Sequence, residues 1–302
     1  MIERTLRFPG PASPGHTLAP QRRGPGDPCF QIDEHGAIWR TSLQRSGPVT
    51  ARIHRLAADT IGCQAWGQGA EEFAENLPTL LGADDEAAGF APEHPVVAAA
   101  KAKAPHLRIG RTGRVLEALI PAVLEQRVQG VASFRSWRLL VTRFGTPAPG
   151  PAPATMRVPP PAEVWRAIPS WEFHRANVDP GRARTLVGCA VRGESLERLS
   201  GRPPAQAREA LTSLPGVGVW TAAETAQRAF GDADALSVGD YHLAAMIGWT
   251  LLGHPIDDPA MVGLLEPMRP HRYRVVRLLE VSRLAHLPRR GPRLAVQDIS
   301  SL

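Results

Sequence analysis

Two features of the sequence combine residue types that can do chemistry: a Leu-Pro-Gly-Val-Gly turn at residues 214–218, and the carboxylate of Asp240, 24 residues beyond Gly216. Glycines two positions apart allow a tight turn whose N–H groups are not obstructed by a Cβ atom. These groups would lie at a helix N-terminus, where the partial positive charge favours an anion. The turn therefore predicts a grip on one phosphate of a nucleic acid, without regard to its sequence. A simple turn between two helices is the alternative.

Asp240 follows a second turn, at residues 231–239, and precedes a stretch with helical character. An aspartate in that position is typical of a helix N-cap. It is also a candidate catalytic carboxylate, and both interpretations can hold, since a capping carboxylate can face a cleft.

Charge and cysteine content restrict the class of protein. The net charge of +6 favours a polyanionic partner, although an arginine-rich composition without any partner gives the same value. The three cysteines, Cys29, Cys63 and Cys189, lie far apart. Without paired spacing they predict neither a zinc knuckle nor an iron–sulfur cluster with four cysteine ligands. No stretch approaches the ~18 apolar residues of a membrane span, and we expect a reduced cytoplasmic protein.

The elements that must position these residues divide the chain into two predicted domains. Residues 1–93 form a small α+β N-terminal domain, and residues 94–302 an all-α domain, so the fold class is mostly α. In the first domain we expect an irregular arm over residues 1–28, strands at 30–32, 37–43, 49–53 and 60–66, and a helix at 70–81. In the second we expect helices around 116–124 and 134–144, a Pro/Ala loop at 145–161, and helices at 182–192, 204–213, 219–230, 241–252 and 272–284.

The hairpin at 214–218, the loop at 231–239 and Asp240 together resemble the HhH-GPD superfamily, which is named for a helix-hairpin-helix, a Gly/Pro-rich loop and an aspartate. Within it the chain is most similar to the 3-methyladenine DNA glycosylase II (AlkA) family. The resemblance extends over residues 107–281. It includes Leu124-Glu-Gln-Arg-Val128 on the first core helix and Pro215-Gly-Val-Gly-Val-Trp220-Thr-Ala at the hairpin. It implies a helix-hairpin-helix DNA glycosylase domain after the α+β domain.

The resemblance also implies a reaction. A damaged base is flipped out of duplex DNA into a pocket, and its bond to deoxyribose is hydrolysed. Asp240 would stabilise the positive charge on the sugar and orient or deprotonate the water. Members that also cut the strand carry a lysine where this chain has Trp220, so we expect a monofunctional enzyme that leaves an abasic site.

The pocket departs from the family pattern. Trp220 keeps an aromatic side chain that can stack on an electron-deficient base, with a plain core tryptophan as the alternative. Glu224 and about Leu279 stand where the family has two further aromatic residues. Glu224 is expected to attract a cationic base, to protonate a neutral leaving base, or to pair with an arginine. Gln126 and Tyr241 complete the predicted base-binding residues.

DNA contacts are predicted at the hairpin and at the first turn of the core. Arg127 would fill the gap left by the flipped base, an exposed surface arginine being the alternative. Four arginines are candidate phosphate contacts, with a solvated basic face as the alternative: Arg108, Arg111, Arg272 and Arg274. The hairpin residues expected to bind DNA are Leu214, Pro215, Gly216, Val217, Gly218 and Val219. The resemblance implies a monovalent cation bound through the backbone carbonyls of Gly216 and Gly218, and no other cofactor.

The sequence thus predicts a monomeric repair glycosylase acting on double-stranded DNA at the nucleoid, with alkylated purines as its substrates. The alternative is a DNA- or damage-binding protein of the same fold that has lost useful turnover. Glu224 and Leu279 support this alternative, because they stand where the family has aromatic pocket residues. A strand-cutting lyase or an iron–sulfur endonuclease is disfavoured by Trp220 and by the cysteines.

Overall fold

The computed structural model describes residues 1–87, 89–288, 296 and 298–300. Five strands form one antiparallel sheet in the order β1-β5-β4-β3-β2. They are β1 (Ile2–Arg7), β2 (Phe30–Ile32), β3 (Ile38–Gln44), β4 (Gly47–Arg55) and β5 (Thr60–Trp66). The four strands predicted from the sequence are confirmed. Val49, Ala51 and Ile53 of the central strand β4 are fully buried, as its alternating pattern requires.

The expectation of an irregular arm over residues 1–28 is wrong. Residues 2–7 form the edge strand β1, which pairs with β5 from Ile2 opposite Ala65 to Arg7 opposite Thr60. A short helix, α1 (Pro14–Leu18), follows, capped by Ser13, and its Leu18 is fully buried. An edge strand is held by backbone pairing with a distant segment on one side only. The composition of residues 1–28, rich in Pro, Gly and Arg, therefore gave no local indication of strand β1.

Helices make up most of the remaining chain. In chain order they are α2 (Ala70–Leu80), α3 (Pro95–Lys103), α4 (Val115–Leu124), α5 (Gly130–Phe144), α6 (Ala162–Ala167), α7 (Ser170–Arg175), α8 (Pro180–Val191), α9 (Gly193–Glu197), α10 (Pro204–Thr212), α11 (Val219–Ala229), α12 (Leu243–Leu251), α13 (Asp258–Leu265) and α14 (Arg272–Val281). Every long helix predicted from periodicity is present, while α3, α6, α7, α9 and α13 were not predicted. None of the helices in the described part of the chain is long and apolar enough to cross a membrane.

Helix α4 lies at the centre of the helical part. All of its residues except Glu117 are buried, which is what a helix that is apolar on every side requires. It packs against α8 and α11, so the end of α4 is held beside the start of α11. A second hydrophobic cluster joins α12 to α14 through Ile247, Val275 and Leu279.

The Pro/Ala stretch at 145–161 contains no helix, as expected, but it does form a small two-stranded sheet. Strand β6 (Thr146–Pro147) pairs with β7 (Arg157–Val158). The sheet was missed because two-residue strands leave no periodic pattern. The boundary between two domains at residue 93 remains a prediction, and residues 289–295, 297, 301 and 302 of the predicted second domain lie outside the described residues.

Candidate active site and nucleic-acid interface

The turn at residues 214–218 joins α10 to α11 as a tight hairpin. Gly216 has a φ of +83°, a conformation that costs other residues roughly 1–2 kcal/mol. A Cβ atom on Gly216 would also overlap the side chain of Thr185 on α8. No side chain caps α11, and Gly218 and Val219 are exposed. The first N–H groups of α11 therefore face solvent at a helix N-terminus, which is the geometry that an anion such as a phosphate fits.

Gln126, at the end of α4, fastens this hairpin. Its Nε2 donates to the carbonyl of Gly216 and to Thr221 Oγ1, both at 2.9 Å. The carbonyl of Gly218 accepts from the N–H of Ala222 at 2.9 Å. Both carbonyl oxygens of the predicted cation site therefore already accept hydrogen bonds. A carbonyl oxygen has a second lone pair, so each could still bind a cation; the monovalent cation stays a prediction, and we derive no step of the reaction through it.

Arg127 follows Gln126 in the turn between α4 and α5. It is exposed, and its φ of +55° is in the left-handed region that ordinary residues avoid. Among the residues that the structure describes, no carboxylate pairs with its guanidinium. A non-glycine residue persists in this conformation where its surroundings fix it, and such residues cluster at functional sites. The turn thus presents an unpaired cation next to the hairpin.

Asp240 connects the starts of two helices. Its Oδ1 accepts from the backbone N–H groups of His242 and Leu243 at 2.9 and 3.0 Å, which caps α12. Its Oδ2 accepts from Trp220 Nε1 on the first turn of α11 at 3.2 Å. The preceding loop is held because Gly239 donates to Asp258 Oδ2 at 2.9 Å. Three N–H donors thus hold the carboxylate in one orientation.

The Asp240 carboxylate lines a cavity of about 300 Å³, at the lower end of the range for small-molecule sites, roughly 300–1,000 Å³. Its walls come from α11, α12, α14 and the segment after α1. The residues that line it are Pro20, Glu224, Gln227, Arg228, Leu236, Ser237, Asp240, His242, Leu243, Met246, Tyr273, Val276, Arg277, Glu280 and Leu287.

A polar network forms one wall of this cavity. Glu224 Oε2 pairs with Arg228 at 2.8 Å, one helical turn further along α11. Glu224 Oε1 accepts from the hydroxyl of Ser237, and Gln227 Nε2 donates to that same hydroxyl oxygen at 2.8 Å. Of the three roles expected for Glu224, the pairing with an arginine is present.

Tyr273 and Arg228 keep fixed charge states in this wall. Burial raises the pKa of the Tyr273 phenol, so the hydroxyl stays protonated at neutral pH. Burial acts to lower the pKa of Arg228, but the acidic groups around it, Glu224, Tyr273 and Glu125, together more than offset this effect, and the net shift of that pKa is upward.

Four of the predicted base-binding residues lie outside the cavity lining, namely Leu279, Gln126, Trp220 and Tyr241. Leu279 is fully buried in the cluster between α12 and α14, so its assignment to the pocket is wrong. The face of α14 that lines the cavity carries Tyr273, Val276 and Glu280, at the i, i+3, i+7 spacing of a single helix face. Trp220 contacts Asp240 from outside the lining, and Tyr241 is 83% exposed.

Tyr273 was missed although it lies in the predicted helix at 272–284. An aromatic residue on the first turn of that helix is a possible sign of a pocket residue. Which side of α14 faces the cavity, however, could not be assigned without knowing the elements that pack against it.

Two of the candidate phosphate contacts are structural instead. Arg272 forms a two-point ion pair with Asp234, at 2.7 and 2.8 Å, and Arg274 does the same with Asp85. All four residues lie in the interior, where an ionised side chain needs a partner. Arg108 and Arg111 remain candidate phosphate contacts, although Arg111 pairs with Asp84 at 3.1 Å.

The cysteines are free and buried. Burial raises the pKa of Cys63 to about 12 and that of Cys189 to about 11. Among the residues that the structure describes, no group of His, Cys, Asp and Glu could hold a metal ion.

Comparison with known proteins supports this description of the fold. No family model matches the chain. A probable bifunctional transcriptional activator/DNA repair enzyme AlkA of Mycobacterium tuberculosis is 32% identical over 207 residues, which cover 66% of this chain and 37% of that protein. Over these residues the chain is similar in sequence to AlkA, which agrees with the resemblance of its hairpin, loop and aspartate to the HhH-GPD pattern. It spans a little over a third of the length of these curated relatives.

Solved HhH-GPD structures share the fold over nearly the whole chain. The 3-methyladenine DNA glycosylase of Archaeoglobus fulgidus superposes with a TM-score of 0.75 at 16% identity, covering 93% of this chain and 98% of that one. The Clostridium acetobutylicum 8-oxoguanine glycosylase/lyase in complex with double-stranded DNA superposes with a TM-score of 0.70 at 12% identity, covering 91% and 96%. These likenesses include the sheet as well as the helices.

Proposed function

We propose that this chain is a monofunctional DNA glycosylase that removes a modified base, an alkylated purine, from duplex DNA and leaves an abasic site. The observation that carries the proposal is the Asp240 carboxylate, held by three N–H donors at the edge of a cavity. The sequence relative is named a probable DNA repair enzyme, two solved structures with this fold are named DNA glycosylases, and one of them was solved with double-stranded DNA bound.

In the proposed reaction the hairpin binds one phosphate through the N-terminus of α11, and the target nucleotide rotates out of the duplex into the cavity. As the bond between C1′ and the base breaks, positive charge develops on the sugar, and the Asp240 carboxylate stabilises that charge. Trp220 Nε1 holds the carboxylate in place. Water then adds to C1′, its proton passes to Asp240 or to solvent, and the free base and the abasic site are the products.

The side chain of Arg127 would occupy the gap in the base stack. Its guanidinium is planar, exposed and without a carboxylate partner among the described residues, and such planes stack on bases. This keeps the opposite strand in register while the target nucleotide is outside.

The absence of a suitable amine supports hydrolysis without strand cutting. A lyase step needs an amine that attacks C1′ and forms a Schiff base. The chain has only two lysines, Lys101 and Lys103; both lie on α3, and neither lines the Asp240 cavity. We further propose a monomer that acts on chromosomal DNA in the cytoplasm.

The test is base release from methylated duplex DNA by the wild type and by Asp240→Asn. Asparagine keeps an oxygen that can cap α12 but removes the charge, so release should fall by about 100- to 1,000-fold while duplex affinity is retained. Asp257→Asn is the matched control, because Asp257 also caps a helix, through the N–H of Ala260, and does not line the cavity.

Equal release by wild type and Asp240→Asn would contradict the assigned role of Asp240. No release by the wild type, with intact duplex binding, would favour a damage-binding protein. A covalent adduct trapped by borohydride would contradict the monofunctional assignment.

A further inference from the structure

The cavity contains an ion pair that the proposed chemistry at Asp240 does not use. Glu224 and Arg228 lie one turn apart on α11, and their side chains are only 14% and 13% exposed. Both line the cavity. Removing two charges from water is costly, and a hydrophobic pair of similar size often serves stability as well. The pair therefore calls for an explanation beyond holding the helix together.

Arg228 has hydrogen-bond donors to spare. Its Nε donates to the carbonyl of Pro20 at 2.7 Å, and its Nη1 donates to the carbonyl and the carboxylate of Glu224 at 2.7 and 2.8 Å. Within the described residues, no acceptor is bonded to Nη2. An arginine carries five N–H donors in a fixed plane, so the two on Nη2 have no partner within the described part of the chain.

Glu224 supplies acceptors beside these donors. One carboxylate oxygen accepts from Ser237 and the other from Arg228, and each has capacity for a second hydrogen bond. The wall therefore presents a donor group adjacent to acceptor oxygens, held in place by Ser237, Gln227 and Pro20. Few rings are available for stacking, since of the residues that line the cavity only Tyr273 and His242 carry one.

We propose that the Glu224–Arg228 pair selects purines with a 6-oxo group over purines with a 6-amino group. The edge of a 6-oxopurine carries a carbonyl next to an N1–H, so the carbonyl accepts from Arg228 and N1–H donates to Glu224. A 6-aminopurine held in the same orientation presents the reverse pattern, an N–H₂ group facing Arg228 and an N1 lone pair facing Glu224. Both contacts would then be mismatched, and unpaired polar groups in a confined site are strongly disfavoured.

This inference rests on the proposed function for its cavity but narrows the substrate class. Because the charge of Arg228 compensates that of Glu224, the pair recognises a hydrogen-bonding edge and not a positive charge. An alkylated base with the 6-oxo edge, such as 7-methylguanine, and an uncharged base with the same edge, such as hypoxanthine, both qualify. 3-Methyladenine does not.

The test measures release of 7-methylguanine and 3-methyladenine from methylated duplex DNA, with each rate divided by the spontaneous rate. Release of hypoxanthine from a synthetic duplex is measured alongside and divided by its own spontaneous rate; this uncharged base takes up a proton from solvent as it leaves. The pH is kept low enough for 7-methylguanine to retain its N1 proton. We expect the two 6-oxopurines to be favoured by about tenfold or more over 3-methyladenine. Release of 7-methylguanine and 3-methyladenine without hypoxanthine would show that charge is recognised, and would overturn the proposal.

Glu224→Gln tests the pair directly. The variant keeps the shape of the side chain and loses the carboxylate, so the ratio of 6-oxo to 6-amino release should fall toward one. A purely structural role would lower both rates and leave the ratio unchanged, which would also overturn the proposal. Glu194→Gln is the matched control, since Glu194 pairs with Arg198 at the same i, i+4 spacing on the surface; its ratio should equal that of the wild type.

Binding distinguishes failure of this inference from failure of the proposed function. Asp240→Asn keeps the pair and removes the reactive carboxylate. Its affinity for a duplex with hypoxanthine, relative to one with 3-deaza-3-methyladenine, a stable analogue of the 6-amino lesion, measures selection without turnover. A clear preference for hypoxanthine, together with no release by the wild type, would keep the inference and reject the glycosylase. Equal affinities would reject the inference, whether or not the wild type releases a base.

Discussion

The hairpin and the cavity meet at α11, yet they are built on opposite principles. The hairpin is proposed to act through backbone N–H groups, and its glycines matter because they carry no Cβ atom that would obstruct these groups. The cavity acts through side chains contributed by α11, α12, α14 and Pro20. Backbone N–H groups suit a duplex, because its phosphates are the same at every nucleotide. Side chains suit a base, because one base must be distinguished from the others. In the proposed function, the two ends of one helix thus separate binding of any duplex from recognition of one base.

Among the variants that separate the hairpin from the cavity, we expect the largest effect, on the rate of base release, from Trp220→Phe. The change removes the Nε1 donor to Asp240 and keeps an aromatic ring. A hydrogen bond to a charged group contributes roughly 1.5–3 kcal/mol, so base release should fall by about 10- to 100-fold. Duplex affinity should stay the same. Trp171→Phe, at an exposed tryptophan on α7, is the control. A loss of affinity that matches the loss of rate would show that Trp220 belongs to the DNA grip instead.

Gly216→Ala should produce the opposite result. The left-handed φ alone costs alanine roughly 1–2 kcal/mol, and the side chain of Thr185 must also move. Duplex affinity should fall by about 5- to 30-fold, while release from saturating DNA changes little. Gly218→Ala is the natural control, because Gly218 has a negative φ and no atom lies within 4 Å of an added Cβ. Equal losses in the two variants would contradict a specific role for the geometry of Gly216.

A variant at Arg127, in the turn next to the hairpin, tests whether this side chain contributes to DNA binding. Arg127→Gly removes the guanidinium and relieves the left-handed conformation at φ +55°. The melting temperature should therefore rise slightly, while affinity for a lesion duplex falls by about fivefold, since stacking contributes on the order of 1 kcal/mol or more. Arg166→Ala, at another exposed arginine, controls for charge. Lower stability together with unchanged affinity would contradict the role as a wedge.

The smallest effect concerns Cys189, which lines the groove beside Gly216 and Thr185. Burial raises its pKa to about 11. A thiol with a raised pKa is protonated below that value, so at neutral or mildly alkaline pH it should react very slowly with iodoacetamide. Gly216→Ala displaces Thr185 and should speed this reaction by exposing the thiol. The labelling is monitored by mass spectrometry of peptides. Fast labelling of the wild type would contradict the burial of the Cys189 thiol.

The same contrast explains which parts of the molecule could be predicted. The hairpin and Asp240 were located because their chemistry requires particular residue types at a particular spacing. The facing of α14 was not, and Leu279 was assigned where Tyr273, Val276 and Glu280 lie. Helical periodicity defines the faces of a helix but not which face meets which neighbour.

Two other errors have a similar cause. Arg272 and Arg274 are indistinguishable from phosphate contacts until their partners, Asp234 and Asp85, are placed in space, and both partners are distant in sequence. Strand β1 depends on pairing with β5, almost sixty residues further along the chain. Interactions of this kind leave no local pattern, whereas the short-range alternation of β4 does.

The hydrogen bond from Arg228 to the carbonyl of Pro20 affects how far the helices and the sheet can be exchanged between proteins as independent parts. Pro20 belongs to the segment between β1 and β2, and it lines the same cavity as Asp240. The part of the chain that carries the sheet therefore supplies a wall of the pocket and orients the arginine within it. In a chimera that joins these helices to the sheet of another glycosylase, the reactive carboxylate would be inherited from one parent and the choice of base, in part, from the other.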